Sequence, residues 1–558
     1  MTDLLSGGVE AAAGLAVYGA DAVDAAAPAS ARAALVRSGV AGLLAAKDPT
    51  LWGPEAEEVA KVRLGWVDTF RRTRDLLPQI AQLTEELADL NHVVLAGMGG
   101  SSLAPEVICR TLGRPLTVLD TTDPQQVRRA MFGSAGADGA DDRLRRTVVV
   151  VASKSGSTVE TDSHRRAYWQ AFLDAGLTEA EAARHFVVVT DPGSPLEAAA
   201  REAGMVVVLA DPEVGGRYSA LTAFGMVPSA LAGVDVAELI AQAEEMAPAL
   251  GRDGDNPGLA LGAALGSAAT AGRDKLALVE DGTGIVGLGD WAEQLIAEST
   301  GKAGVGILPV VVETPDAPGT VGEDVLTVTV GGSLPAGAVP AGGVRADLAV
   351  NGPLGAQFLT WEYATAIASR VLGIEPFDQP NVAESKENTG RILADGPPSE
   401  APLFTAGPVE VYGPAGAGES LIEVLRWLLR QVGGDGYLAV MAYLDRFGDA
   451  GAAEVRPLLA GASGRPVTFG WGPRFLHSTG QYHKGGPQAG SYLQITGAVT
   501  EDLPVPGRPY TFGELIGAQA AGDRQALAGR GRPLVHLHLT DRAAGIAALL
   551  DAASSLRG

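Results

Sequence analysis

Apolar and polar positions follow two rhythms along this chain, and the switch between them marks out its elements. Short unbroken apolar runs at 93–96, 116–119, 148–152, 186–190 and 206–209 read as strands buried on both faces, since a half-exposed strand would alternate. Between them the spacing of three and four returns, which predicts helices and so a doubly wound parallel sheet over 91–235. A helical stretch around 235–272 leads to a second such unit, with strands at 275–279, 306–312 and 325–330 and helices at 289–299 and 358–372. After a polar, proline-rich linker at 393–402 comes a third α/β unit, with a helix at 419–431 and strands at 437–443 and 467–471. Residues 1–90 read as helices, alanine-rich at first and then over 55–64 and 70–90. The expected fold class is therefore α/β. It comprises an N-terminal helical segment (1–90), two doubly wound parallel-sheet subdomains (91–235 and 236–392) and an additional C-terminal α/β extension (403–558).

Bulk properties narrow the partners. At 558 residues the chain exceeds what one core supports. Its net charge of −24 argues against nucleic acid or an anionic membrane surface, and it requires a local cationic pocket for any anionic substrate. Cys109 is the sole cysteine, which excludes a disulfide framework and a cysteine metal site. The most apolar long stretch, 257–272, is mostly Ala and Gly and too short to span a bilayer. Asp3 and Glu10 precede the first basic residue, Arg32, unlike a signal peptide. The expected setting is cytoplasmic. Four of the seven lysines, Lys154, Lys302, Lys386 and Lys484, fall in glycine- or serine-rich or otherwise unusual loops, a placement that hints at sites needing a compact ammonium.

The densest chemistry follows the strand at 148–152. Ser153, Lys154, Ser155, Gly156, Ser157 and Thr158 form a strand-to-helix turn, where hydroxyls, a lysine and unpaired helix N–H groups suit a phosphate. An N-cap alone would need one hydroxyl. A similar turn, Gly97 to Ser102 with Gly100 and Ser101, follows the strand at 92–96. It nearly matches the dinucleotide fingerprint, but Ser102 stands where glycine is wanted and Asp120 is the only candidate ribose-binding acid. Two serine-bearing turns on successive strands favour a sugar phosphate over a dinucleotide. Gly215-Gly216-Arg217 brings backbone and guanidinium close to a small ligand, and read alone it fits a tight turn with a surface ion pair equally well. Glu298 sits in the last turn of a helix ending at Gly301, where the dipole opposes its charge and suits a general base; a solvated glutamate is the plainer reading.

In their order, GMGGSSLAPE, SKSGSTVET, VGGRYS, AESTGK and PFDQPNVAESK resemble glucose-6-phosphate isomerases over about 90–390. That resemblance implies two sugar isomerase (SIS) subdomains, interconversion of glucose 6-phosphate and fructose 6-phosphate in glycolysis and gluconeogenesis, and neither metal nor organic cofactor. It implies that Ser101, Ser153, Ser155 and Thr158, with Gly100, Gly216, backbone amides and nearby Lys154, hold the phosphate. Glu298 would shuttle the proton, Arg217 would stabilise the cis-enediolate, and Lys386 would assist ring opening. The family's ring-opening histidine normally lies between the Glu and Lys motifs, yet no histidine occurs between Glu298 and Lys386, and Asn381 and Ala383 depart from the last motif. The region beyond 390 resembles the tail of the isomerase half of transaldolase–isomerase fusions. Its segment 475–486 offers His477 and His483 as the missing imidazole, with His483 taken as the catalytic candidate. Family members are usually homodimers sharing sites, a role the extension would fill within one chain. Two other readings are a dual phosphoglucose/phosphomannose isomerase and a non-catalytic sugar-phosphate sensor; a sensor would need neither Glu298 nor Arg217.

Overall fold

A computed structural model describes residues 9–133, 139–335, 338, 340, 346–396 and 400–557. Three sheets organise them. The first is fully parallel, in the spatial order Thr117–Leu119, His92–Gly97, Thr147–Ala152, Phe186–Thr190, Val206–Leu209. The second runs Val9–Ala12, Leu15–Tyr18, Leu348–Asn351, Val325–Gly331, Lys275–Glu280, Leu308–Val312. The third runs Phe404–Ala406, Val409–Tyr412, Leu534–Leu539, Gly490–Gly497, Tyr437–Tyr443, Val467–Trp471. Numbered by chain order, the first four parallel strands of every sheet lie as second, first, third, fourth. Beyond the fourth, the first sheet adds another parallel strand; the other two add an antiparallel hairpin. The third unit thus repeats the topology of the other two, a repeat with no counterpart in sequence.

The expected strands stand where apolar runs are longest: every residue of Thr147–Ala152 is buried. The N-terminal expectation needs correcting. Val9–Ala12 and Leu15–Tyr18 form a hairpin on the second sheet, Leu15–Tyr18 pairing with Leu348–Asn351, so the segment before 91 is neither wholly helical nor separate. Leu15 and Val17 are the hairpin's fully buried core residues, and two such positions among alanines give no readable period. Ala13 and Gly14 take φ of 48° and 75°, the positive pair that a tight hairpin turn requires. Residues 393–395 of the expected linker end the helix Ala383–Asp395, and 397–399 lie outside the described residues.

The apolar stretch at 257–272 becomes the buried helix Pro257–Thr270, packed on Leu354–Leu372. Cβ atoms on Gly262 and Gly266 would lie 2.8 Å from Ile367 Cβ and 2.5 Å from Val371 Cβ, so these helices meet at glycine. Among the described residues no helix is long and apolar enough to cross a membrane. The C-terminal unit has its own core, including Val440, Leu493 and Leu537. A further cluster, with Leu308 and Val310 against Met441 and Tyr443, joins the second and third sheets. Ion pairs complete the docking: Arg474 Nη1 lies 2.6 Å from both Glu106 and Asp120, and Arg542 Nη2 lies 2.7 Å from Asp123. Asp120, the candidate ribose ligand, is thereby committed to Arg474.

Candidate active site

The loops that carry chemistry leave the carboxyl edge of the first sheet, where its first and third strands lie side by side and their connections diverge. After Thr147–Ala152 the chain turns through Gly156, at φ 68°, where a Cβ would also lie 2.9 Å from Leu196; only glycine fits. Thr158 is the N-cap of the helix Val159–Asp174, yet its side chain makes no capping bond. Instead its hydroxyl lies 2.9 Å from Ser153 Oγ, and Ser155 and Ser157 hydroxyls lie 3.0 Å apart. The helix start, uncapped by Thr158, thus lies beside a row of hydroxyls. Such an arrangement has the donors an anion would need.

A cavity of about 300 Å³ opens on this turn. Ser155, Ser157 and Thr158 line one wall, Ser385, Lys386 and Thr389 of the helix Ala383–Asp395 another, and His477, Lys484 and Gln519 of the C-terminal unit a third. All three units therefore meet at one hole. Glu160, also lining it, accepts from Gln519 Nε2 at 2.6 Å and lies 3.1 Å from His477 Nε2. Burial alone would raise its pKa, but His477 and, more weakly, Lys386 hold it below the ordinary carboxylate value. Lys484 Nζ is 2.7 Å from Asp523, both side chains almost fully buried.

Next to the cavity, Glu298 and Arg217 form a buried pair, Oε2 to Nη1 3.4 Å. Gln294 and Gln379 side-chain amides each donate to the same Oε2 at 3.3 Å. Burial raises the Glu298 pKa against the pull of Arg217 and His477. Arg217 is held by Ser299 Oγ at 2.9 Å and the Pro376 carbonyl at 2.5 Å. A carboxylate made more basic by burial, beside a fixed guanidinium, can take a proton and face a developing oxyanion.

Of the sequence-predicted residues, Ser155, Thr158 and Lys386 line the cavity, and Ser153 sits behind Thr158. Glu298 and Arg217 stand together just behind the lining. Gly100 and Gly216 meet each other: a Cβ on Gly100 would lie 1.9 Å from Gly216 O, so their glycines serve loop-to-loop packing, and Ser101 is buried in that packing. Lys154 turns away, its Nζ 2.5 Å from Asp191, because that carboxylate lies beside the turn and draws the ammonium to it. His483 needs the clearest correction. Its ring is buried and stacked on Tyr437, with Nδ1 3.0 Å from the Tyr437 hydroxyl, and burial pushes its pKa down to about 3. The cavity takes His477 instead. Glu160 and Gln519 were not read as site residues, whereas Lys484 stood among the four lysines singled out for their unusual loops.

Among the described residues no group of three or more His, Cys, Asp or Glu could hold a metal ion. The phosphoglucose isomerase family profile matches residues 81–250. A probable glucose-6-phosphate isomerase of Haloarcula marismortui is 34% identical over 230 residues, covering 40% of this chain and 50% of that one. A glucose-6-phosphate isomerase of Rubrobacter xylanophilus is 30% identical over 381 residues, covering 57% of this chain and 86% of its own length. This chain belongs to the phosphoglucose isomerase family. The match spans half or less of several relatives, including 45% of the enzyme from Thermosynechococcus vestitus. Among solved structures, a hypothetical protein from Thermus thermophilus superposes with a TM-score of 0.54 at 25% identity, over 67% of this family member and 97% of that chain. A Chlamydia trachomatis glucose-6-phosphate isomerase gives 0.52 at 17% identity over 71% and 91%, a likeness of fold.

Proposed function

We propose that this chain interconverts glucose 6-phosphate and fructose 6-phosphate through a cis-enediolate, as a cytoplasmic enzyme of glycolysis and gluconeogenesis. The observation that carries the reading is the cavity itself, with a hydroxyl-lined helix start at one wall and a buried Glu–Arg pair behind another. In this reading the phosphate rests on Ser155, Thr158 and the N–H groups opening Val159–Asp174, with Ser153 steadying Thr158 and Lys386 adding charge. Such binding, remote from the reacting carbons, orients the sugar. His477 passes a proton from the C1 hydroxyl to the ring oxygen, opening the ring, with Lys386 assisting. Glu298 then removes the C2 proton of the aldose and returns it to C1, the proton of the O2 hydroxyl passing to O1, while Arg217 stabilises the enediolate oxygen. The proton moves between carbons and no electron acceptor is required.

The raised pKa of Glu298 fits this task, since a base more basic than an ordinary carboxylate holds the abstracted proton long enough to return it. His477 comes from the same polypeptide, so a single chain can complete the site. The test is a coupled assay from fructose 6-phosphate on wild type and Glu298→Gln. Loss of turnover with sugar-phosphate binding retained is expected; equal turnover would remove Glu298 as base.

A further inference from the structure

The C-terminal sheet has the strand order of the first, and a crevice lies at the corresponding place. In the first sheet the substrate turns follow the first and third parallel strands, His92–Gly97 and Thr147–Ala152. In the third sheet those positions belong to Tyr437–Tyr443 and Gly490–Gly497. Their carboxyl ends, Tyr443 and Thr496, line a separate cavity of about 480 Å³, larger than the one at Ser155. Parallel sheets bind ligands at such divergence points.

The cavity's polar groups are incompletely used. Tyr443, 2% exposed, has a hydroxyl without a hydrogen-bond partner among the described residues, and so has Nδ1 of His536, 8% exposed. Arg524 donates to Gln494 Oε1 at 2.6 Å, and among the described residues no carboxylate pairs with it. Burial lowers its pKa against the weaker opposing pull of Glu400 and Asp523. The other charged groups are committed. Arg542 is held by Asp123 and Asp449, at 2.7 and 3.0 Å, and Glu514 accepts from the N–H of Thr511 at 2.8 Å to close its own helix start. His536 and His538 both address the Thr496 hydroxyl, at 2.9 Å each.

We propose that this cavity is a second ligand site, taking a small organic anion whose carboxylate or phosphate group sits on Arg524 and the Tyr443 hydroxyl. Its apolar wall includes Ile392, Leu393 and Ile516, which suits a compact carbon body. Leu393 lines both cavities, and the helices Ala383–Asp395 and Phe512–Ala528 contribute to both. An occupant would therefore lie about two helical turns from Lys386.

Histidine-selective ¹⁵N spectra of the full chain test this, because His536 and His538 report the new site and His477 the sugar pocket. Inorganic phosphate and acetate are titrated separately, and the stronger response names the head group. Saturable shifts at His536 and His538 are expected with at least one of them. Arg524→Leu should weaken that response by about tenfold, with His477 unaffected. Tyr443→Phe, which removes only the unpartnered hydroxyl, should weaken it by about threefold. His536 and His538 signals that stay still with both anions, or that respond equally in wild type and both variants, would overturn the proposal.

Discussion

The first and third sheets share a strand order but not an edge. At the first, short hydroxyl side chains and an uncapped helix start face the cavity, and the cations come from neighbouring units as Lys386 and Lys484. At the third, Arg524, His536 and Tyr443 belong to that unit itself, with apolar residues around them. Strand order decides where a crevice opens; the turns and crossing helices decide what it holds. The first site is also assembled across units, whereas the third is nearly self-contained apart from the helix Ala383–Asp395 and Arg542's ion pair to Asp123.

The largest effect should come from cutting the bridge between the two regions at His477. His477→Ala should lower turnover of the closed-ring sugar by about 10²–10⁴-fold, measured in the coupled assay. Unchanged turnover would confine chemistry to the first two units. His483→Gln, by contrast, should act on stability through Tyr437 and leave turnover near wild type. Next comes Lys484→Met, which strands Asp523 as a buried charge and should cost about 3–5 kcal/mol in denaturant unfolding. A smaller loss would show that the pair opens to solvent. Thr158→Val removes one hydroxyl at the first-sheet edge and should raise KM for fructose 6-phosphate by about tenfold with little change in kcat.

The smallest effect tests the seam between the units. Glu293, within reach of Ser478 Oγ at 3.1 Å, has its pKa raised to about 8 by burial and by the nearby Asp290 charge. The folded chain then holds a proton that the unfolded chain has released, between the ordinary glutamate pKa and about 8. Stability from this group is present below that window and lost as pH rises through it. Glu293→Gln should flatten the fall in Tm between about pH 5 and pH 8, on the order of a few degrees; an unchanged slope would mean the carboxyl is ionised when folded.

Much of this was legible in sequence. The runs at 148–152 and 186–190 are long, β-branched and unbroken, so burial on both faces leaves a signature. The hairpin at Leu15–Tyr18 left none, since its period spans four residues among alanines. Ser155, Thr158 and Lys386 could be found because their motifs are local. Glu160 could not: it reads as a first-turn helical acid, and its meaning depends on His477 and Gln519, more than three hundred residues away in chain order. Choosing between His477 and His483 turned on a single helical turn, Gly480–Gly485, which buries the second ring and leaves the first at the cavity.

A crystal structure of the whole chain with bound fructose 6-phosphate tests the central claim most directly. The phosphoryl oxygens should lie within hydrogen-bond distance of Ser155, Thr158 and the first N–H groups of Val159–Asp174, with the C1–C2 end directed to Glu298. A phosphoryl group held at Arg524, or anywhere away from that turn, would contradict it.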